Sequence, residues 1–195
     1  MHGLINRSIQ CFLRDTYGAS TWAAVVVEAR LGFDSFEAML TYDPVLTEQV
    51  IRAATRVLRR PREVLLEDLG TYLVSHRNLE SLRRLLRFGG VTYLDFLNSL
   101  EDLPERGRLA LPDLDLPVLH LTDLGEGRFR LCCSVLLPGV GHVVMGLLRA
   151  MADDYGALVL LDHDGIVAGA EVITIHLAEQ SYAEGRRFDL AVQAG

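Results

Sequence analysis

Residues 87–119 read RFGGVTYLDFLNSLEDLPERGRLALPDLDLPVL, and the parsing of this stretch decides the fold. The pair Gly89-Gly90 launches a helix in which Tyr93, Phe96, Leu97 and Leu100 share one stripe at helical spacing. The next inward position on that stripe is Pro104. Proline has no N–H for the carbonyl of Leu100, and its ring crowds the preceding turn. The helix is therefore expected to stop or kink near Leu103. Gly107, Pro112 and Pro117 then read as a loop.

Upstream, the pattern is helical throughout. Leu4 to Tyr17 carries Ile5, Ile9 and Phe12 on one face and ends at Gly18. Ser20 is expected to cap a second helix, with Trp22, Val25, Val26 and Ala29 inward and a stop at Gly32. A short helical turn is expected over Phe36 to Leu40. Asp43-Pro44 gives the cap and first turn of the next helix, which carries Leu46, Val50, Ile51, Ala54, Val57 and Leu58. Arg60-Pro61 restarts the chain into a helix with Leu65, Leu69, Tyr72 and His76 on one side. Leu79, Leu82, Leu85 and Leu86 mark a short helix before the glycine pair.

Downstream, the period changes. Val118 to Thr122 is the first β-like run, and Gly125 and Gly127 make a turn. Arg128 to Leu137 alternates, with Phe129, Leu131, Cys133, Val135 and Leu137 on one face. Pro138-Gly139 ends that run. A long helix follows, with Val140, Val144, Leu147, Met151 and Tyr155 buried, and His142, Gly146, Arg149 and Asp153 on a wet side. Strands over 157–161 and 167–177 are expected to flank a turn at Asp162-His163-Asp164-Gly165. The order is helices first, then β-β-α-β-β. This is an α+β chain: a helical lobe (residues 1–90) packed on a lobe with a four-stranded antiparallel sheet (91–180). The two lobes make one domain, and 181–195 form a tail in which Phe188 to Val192 is either a short strand or a loose end.

Composition narrows the function. At 195 residues the chain can bury one good core. No apolar run reaches the length of a membrane span. Asn6, Arg7, Gln10 and Arg14 interrupt the opening segment, which is no signal peptide. All 19 basic residues are arginine, yet net charge is −7, which disfavours an electrostatic grip on nucleic acid. Arg83, Arg84 and Arg87 read as a solvated helix face. The cysteines, Cys11, Cys132 and Cys133, are odd in number and lack CxxC spacing, which places the protein in the reducing cytoplasm. G-x-S-x-G, P-loop, H-E-x-x-H and Rossmann fingerprints are all missing, so the chain reads as a non-enzyme. The adjacent acids Glu101-Asp102 and Asp153-Asp154 diverge on a helix and read as solvated.

Five segments carry a resemblance: MHGLINRSIQCFLRDTYG at 1–18, Trp22, the FGG at 88–90, YLDFLNSLEDL at 93–103 and PGVGHVVMGLL at 138–148. Together they resemble the heme nitric oxide/oxygen binding (H-NOX) family, related to the heme domain of soluble guanylate cyclase. The resemblance spans nearly the whole chain in order. It implies a two-lobed sensory domain with heme b as the family cofactor. For a bacterial stand-alone member it also implies a signalling partner such as a histidine kinase or a cyclic-dinucleotide enzyme.

The resemblance further implies an iron-binding histidine at the end of LxxLH, and a tyrosine, serine and arginine at alternate positions that hold the heme propionates. Here LxxLH is matched by Leu100 to Pro104, so proline stands at the ligand position. Cys133, Val135 and Leu137 stand at the three propionate positions. Pro117 matches the family's proline that presses on the heme, and Ile5 a distal apolar residue. Iron needs a Lewis-basic ligand, which proline lacks. Propionates buried without partners are costly. None of His76, His120, His142, His163, His176 or Cys133 makes a convincing substitute ligand.

The expected function is a stand-alone sensory or regulatory module that has lost heme and takes an apolar small molecule or acts through a signalling partner. Two alternatives stand beside it. One is a nitric oxide or oxygen sensor holding heme through a non-standard ligand, and the other is a partner-binding subunit with a collapsed pocket. The chain length is expected to leave no room for a fused cyclase or kinase.

Overall fold

The structure, a computed structural model, describes residues 1–110, 113 and 115–186. Helix α1 (Gly3–Tyr17) is capped by His2, whose Nδ1 accepts the Leu4 N–H at 3.1 Å. Gly18, at φ 94°, ends α1 and also caps α2 (Ala19–Ala29). The second cap is thus Gly18 rather than Ser20. The helix leaves at Arg30, in the left-handed region, two residues before Gly32. The helical turn expected over 36–40 is not formed. Those residues lie in a loop pinned from its sides: Gln10 Oε1 accepts the Phe36 N–H at 2.9 Å, and Phe36 meets Phe33 and Tyr42 edge-on at 5.0 Å. One isolated helical turn is a poor competitor for such packing.

Helix α3 (Pro44–Leu58) starts at Asp43, which accepts the Val45 N–H at 2.9 Å. Helix α4 (Arg62–Ser75) ends at His76, stacked on Tyr72 at 4.6 Å and acting as a cap. Helix α5 (Glu80–Arg87) follows a short 3₁₀ turn. Ile9, Phe12, Leu13, Trp22, Val25, Val50, Ile51 and Leu66 form the core of this helical lobe.

A capping box of Thr92 and Asp95 opens α6 (Tyr93–Asn98), which is shorter than the sequence suggests. It gives way to a 3₁₀ turn, Leu100–Asp102. Pro104 is then the second residue of a new helix, α7 (Leu103–Ala110). The proline breaks the stripe as expected, but it also starts a helix, because its missing N–H falls in a first turn where no partner is needed. Gly107 accordingly lies inside α7 and not in a loop, while Pro112 lies outside the described residues.

The sheet runs β1 (Leu119–Gly125), β2 (Arg128–Ser134), β3 (Leu158–Val167) and β4 (Ala170–Glu179), all antiparallel in the order β1-β2-β4-β3. The α+β architecture and the four strands are as expected, with two corrections. First, β2 ends at Ser134, where the Ser134 hydroxyl accepts the Val118 N–H at 2.7 Å. The alternation read through to Leu137 therefore ends three residues early. Second, Asp162-His163-Asp164-Gly165 is not the hairpin turn. Strand β3 runs through it with a register shift between His163 and Gly165, and the turn is Ala168-Gly169, at φ 50° and 83°. Two consecutive left-handed residues match the right-handed twist of the strands they join, whereas the Asp-Gly pair upstream is absorbed by a bulge. The possible strand over Phe188 to Val192 lies outside the described residues.

Helix α8 (Val140–Tyr155) is the centre of the molecule and is buried almost all round. A Cβ on Gly70 would collide with the Val143 carbonyl, and one on Gly146 with the Glu67 carbonyl, so α4 and α8 touch backbone to backbone. The side of α8 expected to be wet is divided: Gly146 lies in this seam and the His142 side chain is only 16% exposed, whereas Arg149 and Asp153 are exposed as expected. The other face packs on the sheet with Tyr93, Phe96, Leu97, Leu100, Phe129, Leu131 and Ile173.

Charges expected in solvent are also drawn inside. Arg83 lies 2.7 Å from Asp154, which is 2% exposed, and Arg87 sits 3.8 Å over the ring of Tyr155. Glu101 stays exposed as expected, accepting the Leu121 N–H at 2.8 Å and pairing with His120 at the surface. Only Arg84 of the arginine cluster stays solvated. Buried charges must be paired, and these partners are far apart in sequence. Among the described residues no helix is long and apolar enough to cross a membrane.

Because the α4–α8 seam has no room for a methyl group, Gly146→Ala should cost about 1–3 kcal/mol of stability. Urea unfolding followed by circular dichroism would measure the loss.

Candidate functional site

The stripe that opened the reading is fully built. Tyr93, Phe96, Leu97 and Leu100 are all buried in the core shared with α8 and β2. Tyr93 donates its hydroxyl to the Leu148 carbonyl at 3.2 Å, and burial raises the pH at which that hydroxyl would ionise. Tyr155 donates to the Gly90 carbonyl at 3.0 Å and meets Tyr93 and Phe96 at 6.1 and 5.9 Å. Pro104 is buried just beyond the stripe, in the first turn of α7.

Of the remaining expected site residues, Pro117, Cys133 and Val135 lie close together where β1 meets β2, since Leu119 pairs with Cys133 and Ser134 donates to the Val118 carbonyl at 2.9 Å. Cys133 is fully buried in the sheet-lobe core, and desolvation, then the Glu171 charge, push its thiol up to about 12. Val135, beyond the end of β2, is 41% exposed. Leu137 and Ile5 belong to the apolar cluster of the helical lobe. Pro117 is half-buried ahead of β1. The strict alternation of 128–137 suggested one lining face, but the strand stops at Ser134.

Cavities lie elsewhere. One of about 160 Å³ opens at the C-terminal part of α8, between Thr71, Ser75, Arg149, Asp154 and Arg186. Another of about 10 Å³ lies among Phe12, Ile51 and Leu66. Small-molecule pockets run to about 300–1,000 Å³. Neither of these two cavities reaches that range or touches Pro104 or Cys133.

A polar group that the sequence reading missed stands at the start of α8. Glu171, 1% exposed, accepts the Gly139 N–H at 2.7 Å and the Gly141 N–H at 2.8 Å, capping the helix from the neighbouring sheet. Its signal was available: Glu171 alternates with Ile173, Ile175 and Leu177 on one face of β4.

A helical lobe joined through one central helix to a four-stranded antiparallel sheet defines a two-lobed α+β domain. Residues 2–163 match the model of the haem-NO-binding family, and the chain belongs to that family. It is similar to a soluble guanylate cyclase of Caenorhabditis elegans, gcy-31, at 27% identity over 79% of this chain and 22% of that one. It is also similar to soluble guanylate cyclase 89Db of Drosophila melanogaster, at 20% identity over 92% of this chain and 27% of that one. The chain thus spans about a quarter of the length of these curated relatives. Among solved structures, the Fe(II) unliganded H-NOX protein from K. algicida superposes with a TM-score of 0.80 at 15% identity, covering 94% of this chain and all of that one. The Fe(II)NO form of the S. oneidensis H-NOX protein gives 0.76 at 16% identity, covering 92% of this chain and all of that one. At such identities the superpositions establish the fold.

The buried thiol yields a direct check. The thiolate is the reactive form, so Cys133 should resist iodoacetamide at pH 8 in the native protein and react once urea unfolds it. Mass spectrometry of alkylated peptides would show Cys132 labelled well ahead of Cys133. Folding holds this thiol neutral, so its contribution to stability is complete at neutral pH and declines above the ordinary value of 9.0.

Proposed function

We propose that this protein is a sensory or regulatory domain of the haem-NO-binding family that works without heme b and signals through a protein partner. The observation that carries this reading is Pro104, which stands where the family's iron-binding imidazole is expected and offers iron no lone pair. The residues around it do not fit heme. The stripe leading to Pro104 is itself packed against α8, with Tyr93 and Phe96 on the ring of Tyr155 and the Tyr93 hydroxyl bonded to the Leu148 carbonyl. Cys133, Val135 and Leu137 offer propionates no cation and no hydroxyl.

The same closed core supports a protein partner over an apolar ligand, since a bound molecule of drug-like size would have to displace these side chains. The relatives named as soluble guanylate cyclases make a nucleotide-signalling enzyme the favoured partner class, with a histidine kinase as the other class. The domain itself is non-catalytic. Its net charge of −7 argues against a nucleic-acid partner, and three free cysteines suit a reducing cytoplasm.

The test is an absorption spectrum of the protein expressed with a heme precursor and then titrated with hemin. No Soret band attributable to a bound heme is expected. A Soret band that shifts with nitric oxide or carbon monoxide would overturn the reading. Pro104→His alone is expected to give no stable five-coordinate complex, because the propionate positions stay apolar. Native mass spectrometry of the purified protein should return the bare chain mass, and an extra organic mass would instead support the ligand-binding reading.

A further inference from the structure

The Glu171 carboxylate that caps α8 is one end of a longer polar column. His163, in the bulged part of β3, lies with Nε2 3.1 Å from Glu171 Oε2. Its Nδ1 accepts the Gly165 N–H at 3.2 Å. A nitrogen that accepts cannot carry the proton, so the neutral ring has its N–H on Nε2 and donates it to Glu171. The ring of His142 on α8 stacks on His163 at 4.2 Å, with the planes 12° apart. His142 Nδ1 is buried without a hydrogen-bond partner, and Glu67 Oε1 of α4 stands 3.6 Å away. The other oxygen of Glu67 accepts from Arg149 at 2.6 Å.

Four elements therefore contribute to one column: α4 through Glu67, α8 through His142 and its own N-terminus, β3 through His163 and β4 through Glu171. The column runs from the helical lobe to the sheet, beside the seam where α4 and α8 touch. Charged groups reach it from every side. Arg62 of α4 lies near Gly139, is neutralised by two bonds to Glu48 of α3, and donates to the Pro138 carbonyl. Asp164 of β3 is turned away onto the Thr174 hydroxyl.

We propose that this column is a one-proton latch between the two lobes. Two stacked imidazoles cannot both charge cheaply at this separation. His163 is held in its neutral form by the Gly165 N–H, because a proton on Nδ1 would break that bond and set two N–H groups against each other. A proton entering the stack resides on His142. There the ring carries a hydrogen on Nδ1 whichever nitrogen held it when neutral, and its positive charge draws Glu67 across the gap into a charge-assisted bond over the α4–α8 seam. Acidification closes the latch, and a rise in pH opens it.

The test uses the full chain labelled with ¹⁵N, with long-range proton–nitrogen spectra of the imidazoles recorded between about pH 5 and 8. His163 should keep the pattern of an Nε2–H imidazole as His142 converts to imidazolium. In Glu67→Gln the His142 conversion should move to lower pH, and Glu28→Gln, on a remote surface pair, should leave it in place. Amide exchange of α4, corrected for its intrinsic pH dependence, should slow as His142 charges in the wild type and not in Glu67→Gln. The proposal fails if His163 takes the proton first, if both rings convert together, or if Glu67→Gln changes neither the conversion nor the exchange. The wild-type spectra alone decide the proton's location, so the test stands even if a variant folds poorly.

Discussion

Two helix backbones touch where Gly70 of α4 meets Val143 and Gly146 of α8 meets Glu67, and the rest of the molecule depends on that contact. Helices usually pack about 8–10 Å apart because side chains keep them there. Glycine at both crossing points removes that spacer. Close approach brings the carboxylate of Glu67 over two turns of α8, within reach of His142 and Arg149. It also leaves α8 free to bury its remaining face against the sheet. The helical lobe and the sheet lobe therefore share one central helix, and each lobe's core is completed by a side of it.

The ends of α8 are secured separately. Its N-terminal amides meet Glu171, a carboxylate that could not remain buried without those bonds. At its C-terminus the chain leaving β4 folds back, so that Tyr182 and Ala183 donate to the Gly156 carbonyl and Arg186 to that of Asp154. Asp154 in turn holds Arg83 from α5. Every partner in this arrangement comes from a different element, which is why α8 fixes the relation between them.

Much of the fold was legible because periodicity is local. The stripes of α1, α3 and α4, the alternation of β2 and the order of elements all follow from spacing and from Gly and Pro punctuation. Legibility ended where a distant partner decides the outcome. The loop around Phe36 reads as a helix until Gln10 and Tyr42 are brought beside it. The Asp-Gly pair at 164–165 is a stronger turn signal than Ala168-Gly169, yet register with β4 selects the latter. His142, Arg83 and Asp154 read as solvated because each is polar, and each is buried because its counterpart lies on another element. Of the candidate site, the identity of residue 104 was readable, whereas the placement of Cys133, Val135 and Leu137 in separate surroundings required the strand's true end at Ser134.

The apolar stripe from Tyr93 to Leu100 is sealed by the chain's own side chains. A core of this kind is complete as soon as the polypeptide folds. A domain stabilised by a prosthetic group owes part of its stability to that group's supply, since binding to the native state adds to folding free energy. On the heme-free reading proposed above, this protein's quantity in the cell would follow synthesis and turnover alone, as suits a component whose state is set by contact with another protein.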